Sequence, residues 1–214
     1  MRIVLTVLLS LFIVAGCSSK YVSSTLSSKW EAADVSRVTV IPFVPSPEAD
    51  STGLKSAKVD PQGVVLITGI FLRGMEGLGY TIIPFDDETK KILSSDGILP
   101  DDVVKSIGEK TGAGAVLTGV VTRYEEREGG PIGVRKPASV GFDVNLISTM
   151  DGTIIWHGRY AETQKSLSED IGMFFTFLKR GGKWLTAEEL ARDGVEQVLK
   201  KLPRTPVMHQ TPLY

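Results

Sequence analysis

Ala138–Gln164, ASVGFDVNLISTMDGTIIWHGRYAETQ, is the stretch that decides the fold. Two runs rich in β-branched and aromatic residues flank Met150-Asp151-Gly152, and an Asp-Gly step between such runs marks a tight chain reversal. In the first run Phe142, Val144 and Leu146 alternate with Asp143 and Asn145. A period of two gives one face to a core and the other to a polar environment. A third run, Ala115–Glu126, precedes the pair across Arg127–Pro137, whose glycines and prolines form a hairpin tip. The C-terminal half is therefore expected to be a long β-meander.

Working towards the N-terminus, Arg37–Phe43 (RVTVIPF) reads as a strand whose Pro42 places it at an edge or at a strand end. Val44–Val59 reads as loop. Asp60-Pro61 then opens a helix, a capping side chain followed by proline in the first turn. It runs to about Leu78 with apolar residues on more than one stripe, and Gly79 stops it. Tyr80–Phe85 is the next strand, so strand, helix and strand make a parallel βαβ unit. A second helix over Pro100–Thr111 has Asp101 and Asp102 in its first turn and Lys110 in its last, ahead of Gly112. A shorter helix is expected over Asp87–Leu93. Ser166-x-x-Glu169 and Thr186-x-x-Glu189 fit the capping box and open two C-terminal helices, to about Lys179 and Leu202. The expected architecture is an α/β (α+β) sandwich: a mixed five-stranded sheet with an N-terminal βαβ unit, the C-terminal β-meander and packed helices.

The first residues address the chain. Arg2 precedes twelve mostly apolar residues from Ile3 to Val14, and the run closes on Val14-Ala15-Gly16-Cys17. That is the length of a signal-peptide core, well short of the roughly twenty residues of a membrane span. Cys17 is the only cysteine. Its sulfur stands where a bacterial lipoprotein signal accepts a diacylglyceryl group, and cleavage before it frees an amine for a further acyl chain. Several acyl chains hold a protein on a bilayer where a single one binds marginally. Ser18, not Asp, follows, the pattern of outer-membrane sorting in double-membrane bacteria. The expected organisation is a signal peptide over 1–16, a lipidated flexible tether over 17–36, one periplasmic α/β domain over 37–203 and a mobile tail over 204–214. The tether reading rests on serines at 18, 19, 23, 24, 27 and 28.

Cleavage removes sixteen of the 214 residues and Arg2 with them, leaving 198 residues with 23 basic side chains against 25 acidic. A balance near minus two gives no electrostatic reason to expect nucleic acid as a partner. With its cysteine committed to lipid, the chain forms no internal disulfide and must hold by packing. Two histidines, one of them His209 in the tail, leave little for a metal site or a Ser-His-Asp triad. The tip Gly129–Pro137 superficially resembles a phosphate loop but leads into a strand and lacks the Lys-Ser or Lys-Thr pair. No catalytic residue, cofactor or metal is expected. Glu125, Glu126 and Glu128 read as solvated charge, His157 as a partly exposed strand histidine and Trp156 as a core aromatic. Surplus apolar surface instead suggests subunit or membrane contacts: Phe71 and Met75 on the broad helix, and Phe174, Phe175 and Phe177 near the C-terminus, where core packing is the equal alternative. Arg135 and Lys136 at the tip are further candidates for a partner contact.

Three segments carry a resemblance: Val38-Thr-Val-Ile-Pro-Phe43, Gly112-Ala-Gly-Ala-Val-Leu-Thr-Gly-Val-Val121, and Val144 to Trp156 with its Asp-Gly turn and closing tryptophan. Over Arg37–Leu202 the chain resembles the CsgG/PelC-like periplasmic lipoprotein superfamily, with Ala115 where that group frequently has Asp. The resemblance implies an α/β sandwich and homo-oligomers, often rings, at the outer membrane. No spare pair of long amphipathic strands is present, so a transmembrane pore is not expected. The leading expectation is a non-enzymatic outer-membrane lipoprotein facing the periplasm, a homo-oligomeric scaffold for envelope assembly or export that works with export-machinery proteins. The rivals are a monomeric binding or adaptor module and a hydrolase with an unfamiliar site.

Overall fold

The computed structural model describes residues 20–46, 59–84, 99–130, 134–164 and 183–204. Elements follow in the order β1 (Lys20–Leu26), a short 3-10 turn (Trp30–Ala32), β2 (Arg37–Val40), β3 (Val44–Pro45), α1 (Pro61–Gly77), β4 (Thr81–Ile83), α2 (Asp101–Thr111), β5 (Ala115–Glu125), β6 (Glu128–Gly129), β7 (Val134–Lys136), β8 (Ser139–Ser148), β9 (Ile154–Thr163) and α3 (Ala187–Leu199). Seven strands form one mixed sheet in the order β1-β9-β8-β5-β2-β4, with β3 also pairing with β5; β6 and β7 make a separate two-stranded ribbon. This is an α/β sandwich as expected. The five expected strands are all present, and β1 and β3 are the two additions.

The meander forms as its alternation requires. β5, β8 and β9 are antiparallel neighbours, with Leu117 opposite Leu146 and Leu146 opposite Trp156. Phe142, Val144 and Leu146 are fully buried while Asp143 and Asn145 are half-buried on the other face. The βαβ unit is parallel, Val38 standing opposite Ile82. β2 lies inside the sheet between β4 and β5, not at its edge. Pro42 is accommodated because the strand stops at Val40 and the chain resumes pairing with β5 two residues beyond the proline, as β3. The amide of Phe43 in this break donates to Thr68 Oγ1 on α1 at 3.1 Å, so the interruption leaves that buried donor satisfied.

α1 and α3 cover one face and share the main core with it; α2 lies on the other, where Val104 and Ile107 meet Ile41, Val116 and Ile147. Each helix starts and stops where its sequence signals stand. Asp60 Oδ1 accepts from the Gln62 amide at 2.9 Å, Gly112 closes α2 at φ 68°, and Thr186 with Glu189 completes the capping box of α3. Across the core Phe43, Phe71, Phe142 and Tyr160 form a chain of rings with successive centroids 5.2, 5.4 and 5.4 Å apart. Such spacings lie in the favourable range for aromatic pairs.

One domain boundary needs correction. Residues 20–26, expected within the flexible tether, form β1 and pair along their whole length with β9, from Lys20 opposite Glu162 to Leu26 opposite Trp156. Lys20 and Val22 of β1 face the helices, where Val22 packs on the core, and Tyr21 stands exposed on the other side. The strand signal was hidden because an edge strand tolerates serines, and a neighbouring strand supplies the hydrogen bonds that no local pattern announces. The expected helices over Asp87–Leu93 and 166–179, the signal peptide, and the tail from residue 205 onward lie outside the described residues.

Candidate functional site

The candidate site is the end of the sheet where β1 begins. Antiparallel pairing brings the start of β1, the end of β9, the start of β8 and the end of β5 into one row, with Val140 opposite Glu162, Ser139 opposite Thr163, and Glu125 opposite Ser139. Lys20 is fixed there by Glu162 at 3.2 Å and Asp193 of α3 at 3.4 Å. Glu162 is buried to within 1% and also accepts from the Tyr160 hydroxyl at 2.8 Å. A buried carboxylate needs such partners, because leaving one uncompensated costs several kcal/mol.

From the same row β6 and β7 project as the hairpin tip. The acidic cluster separates into distinct tasks. Glu125 pairs with Lys136 at 2.9 Å and Glu128 with Arg135 at 3.2 Å. Glu126 reaches back to the first amide of α3, Ala187 N, at 3.1 Å. A carboxylate at a helix N-terminus answers unsatisfied amides and the helix dipole. Arg127 donates to the Trp184 carbonyl at 2.8 Å. The base of the tip is thereby tied to α3. The Glu125 hydrogen bond raises the Lys136 ammonium above its usual value, so Lys136 keeps its charge at neutral pH.

Two other surfaces carry polar groups. The outer side of the α1–α3 pair holds a groove of about 560 Å³, floored by Ile70, Val195 and Leu199, with Arg73, Lys200 and Arg204 along it. On the sheet face beside α2, Arg159 forks onto Asp143, and His157 Nδ1 lies 2.8 Å from Asn145 Oδ1. Among the described residues no three His, Cys, Asp or Glu side chains group as a metal site requires. No helix among them is long and apolar enough to cross a membrane.

The residues singled out from the sequence fall in different places. Arg135 is 84% exposed at the tip, with Lys136 beside it at 51%. Phe71 and Met75 are corrected: both have no exposed surface and belong to the chain's own core. The second apolar stripe of α1 is absorbed by α3, whose Leu199 packs against Gly74, leaving Val65 as its exposed apolar residue. Cys17, Phe174, Phe175 and Phe177 lie outside the described residues. Lys20 was missed, because the serine-rich run around β1 carries no strand alternation and the strand is specified by its pairing with β9. Arg73 shares the groove with Lys200 and Arg204 only through the packing of α1 on α3, which no sequence spacing announces.

No family model matches the chain, and no curated protein matches it. Among solved structures it is similar to the PelC dodecamer from Paraburkholderia phytofirmans, at 15% identity and TM-score 0.47, over 84% of this chain and 97% of that one. It is similar to lipoprotein GNA1162 from Neisseria meningitidis at 17% identity and TM-score 0.40, over 68% and 95% of the two chains. The LpoB C-terminal domain from Salmonella enterica matches at 18% identity and TM-score 0.35, over 64% and 92%.

Proposed function

We propose that this chain is a lipid-anchored protein of the bacterial envelope, acylated at Cys17 on the outer membrane and facing the periplasm. Its α/β body serves as a homo-oligomeric scaffold for envelope assembly or export, and it does no catalysis. The observation that carries this reading is the run Val14-Ala15-Gly16-Cys17 behind an apolar core of signal-peptide length. It is supported by the three segments of family resemblance. In the fold these are β2 with the break after it, the end of α2 running into β5, and the hairpin β8–β9.

The second reading, a monomeric adaptor, is favoured by the burial of Phe71 and Met75, which removes two residues from the expected subunit contact. The groove between α1 and α3 would then be the surface that receives a partner. Two measurements on the full chain test these readings. Membrane fractionation of the parent against Cys17→Ser reads the anchor: the parent stays with the outer membrane and the variant is released. Mass measurement of the detergent-extracted parent separates the scaffold, a multiple of the chain mass, from the adaptor, a single chain.

A further inference from the structure

We propose that the sheet end carrying the hairpin tip is a bilayer-contacting surface, held against lipid headgroups by the short link between acylated Cys17 and β1. The proposal rests on the reading of Cys17 as the anchor and deepens it. Only Ser18 and Ser19 separate Cys17 from Lys20, the first residue of β1. At the length of a fully extended chain, three residue steps reach about 11 Å at most. The flexible tether expected over 17–36 would have let the body drift; a link of this length does not.

The far end of the link is rigid. β1 is paired with β9 at seven consecutive positions, and Lys20 is held by Glu162 and Asp193. The chain therefore enters the body at a fixed point and in the direction of the strand. β6 and β7 leave the sheet at that same end, and neighbouring strands stand about 4.8 Å apart, which puts β5 about 14 Å from β1. Glu128 and Lys136 lie three residues past the row formed by Glu125 and Ser139, an advance of at most about 10 Å. The tip thus extends beyond the sheet by up to about the reach of the link, which brings it to the headgroup layer when the acyl chains are inserted. At the opposite end stands the β8–β9 turn with Met150, 69% exposed, and ten residues of strand put it about 30 Å further away.

Charge does not set this orientation. Arg135 is paired with Glu128 of the tip and Lys136 with Glu125 at the end of β5, so the surface is close to neutral. Contact is imposed by the covalent link and is expected to be the same on neutral and on anionic lipid.

The test uses the acylated full chain reconstituted into vesicles of phosphatidylcholine, alone or with phosphatidylglycerol, containing a headgroup spin-labelled lipid. An environment-sensitive fluorophore is attached through Arg135→Cys or, separately, Met150→Cys. Both sites are exposed, and loss of the exposed Arg135 pair has little effect on stability. The expected result is loss of most emission at position 135 and none at 150 in both lipid mixtures. A long Gly/Ser insertion between Ser19 and Lys20 should abolish the difference. Equal quenching at the two positions, or stronger quenching at 150, would overturn the proposal while leaving the anchor standing. A chain that carries no acyl group and fails to sediment with the vesicles would overturn both, and mass measurement on the same sample tells the two failures apart.

Discussion

Thr68 shows what one side chain does for this fold. Its hydroxyl accepts from the Phe43 amide at 3.1 Å and donates to the Val64 carbonyl at 2.9 Å, so a helix residue completes a broken strand. Thr68→Val keeps the shape and deletes the acceptor, leaving a buried amide without its partner. A loss of about 1–3 kcal/mol is expected from such a group, read as a lower denaturation midpoint in urea with an unchanged slope. The serine variant, which restores the hydroxyl, should recover most of it. None of this was legible in the sequence. Pro42 announced that the strand had to end, but not that β5 would continue pairing beyond it or that α1 would supply the bond. Phe71 carries the same lesson in the opposite direction. An apolar residue on a second helical stripe looks like surplus until the position of the covering helix is known, and here α3 and the rings of Phe43 and Phe142 surround it.

At the scale of elements, those with strong internal signals were the legible ones. β5, β8 and β9 followed from alternation and an Asp-Gly turn, and α1, α2 and α3 from their caps. β1 was not, because it is specified by its neighbour. The Ser27 amide bonds the Ile155 carbonyl at 2.9 Å, and strand alternation then turns the Ser23 amide towards β9 and the Ser24 amide outward. Ser23→Pro should therefore strip a ladder hydrogen bond and loosen β1, while Ser24→Pro should be far milder. Amide hydrogen exchange along Val22–Leu26 measures the difference, and equal loss of protection in the two variants would contradict the assigned register. α3 offers a pH prediction. The Lys183 ammonium, 2.8 Å away, and the Thr186 amide hold the Glu189 carboxyl below its ordinary value. A carboxyl depressed in the folded state stabilises above its unfolded value near pH 4.3, and that contribution is lost as pH falls through the folded value. Glu189→Gln should flatten this part of the acid limb in thermal denaturation followed against pH. An acid limb unchanged by the substitution would remove Glu189 from it.

At the scale of the molecule, the proposed anchor is read from the sequence, and the mechanical consequence inferred from it is not. Cys17 and the apolar run before it can be read from residue types alone. That the body begins three residues later, and that this end of the sheet also bears the tip, follows from the pairing of β1 with β9 and of β5 with β8. The predicted tether and the observed edge strand give different molecules on a membrane, one free to roam and one standing on a fixed end. Both depend on the lipid. The direct measurement is the intact mass of the mature protein extracted from membranes. A chain beginning at Cys17 and carrying a diacylglyceryl group with a further acyl chain is the expected result. A mature chain that keeps residues 1–16, or begins elsewhere with no fatty acid, would contradict it.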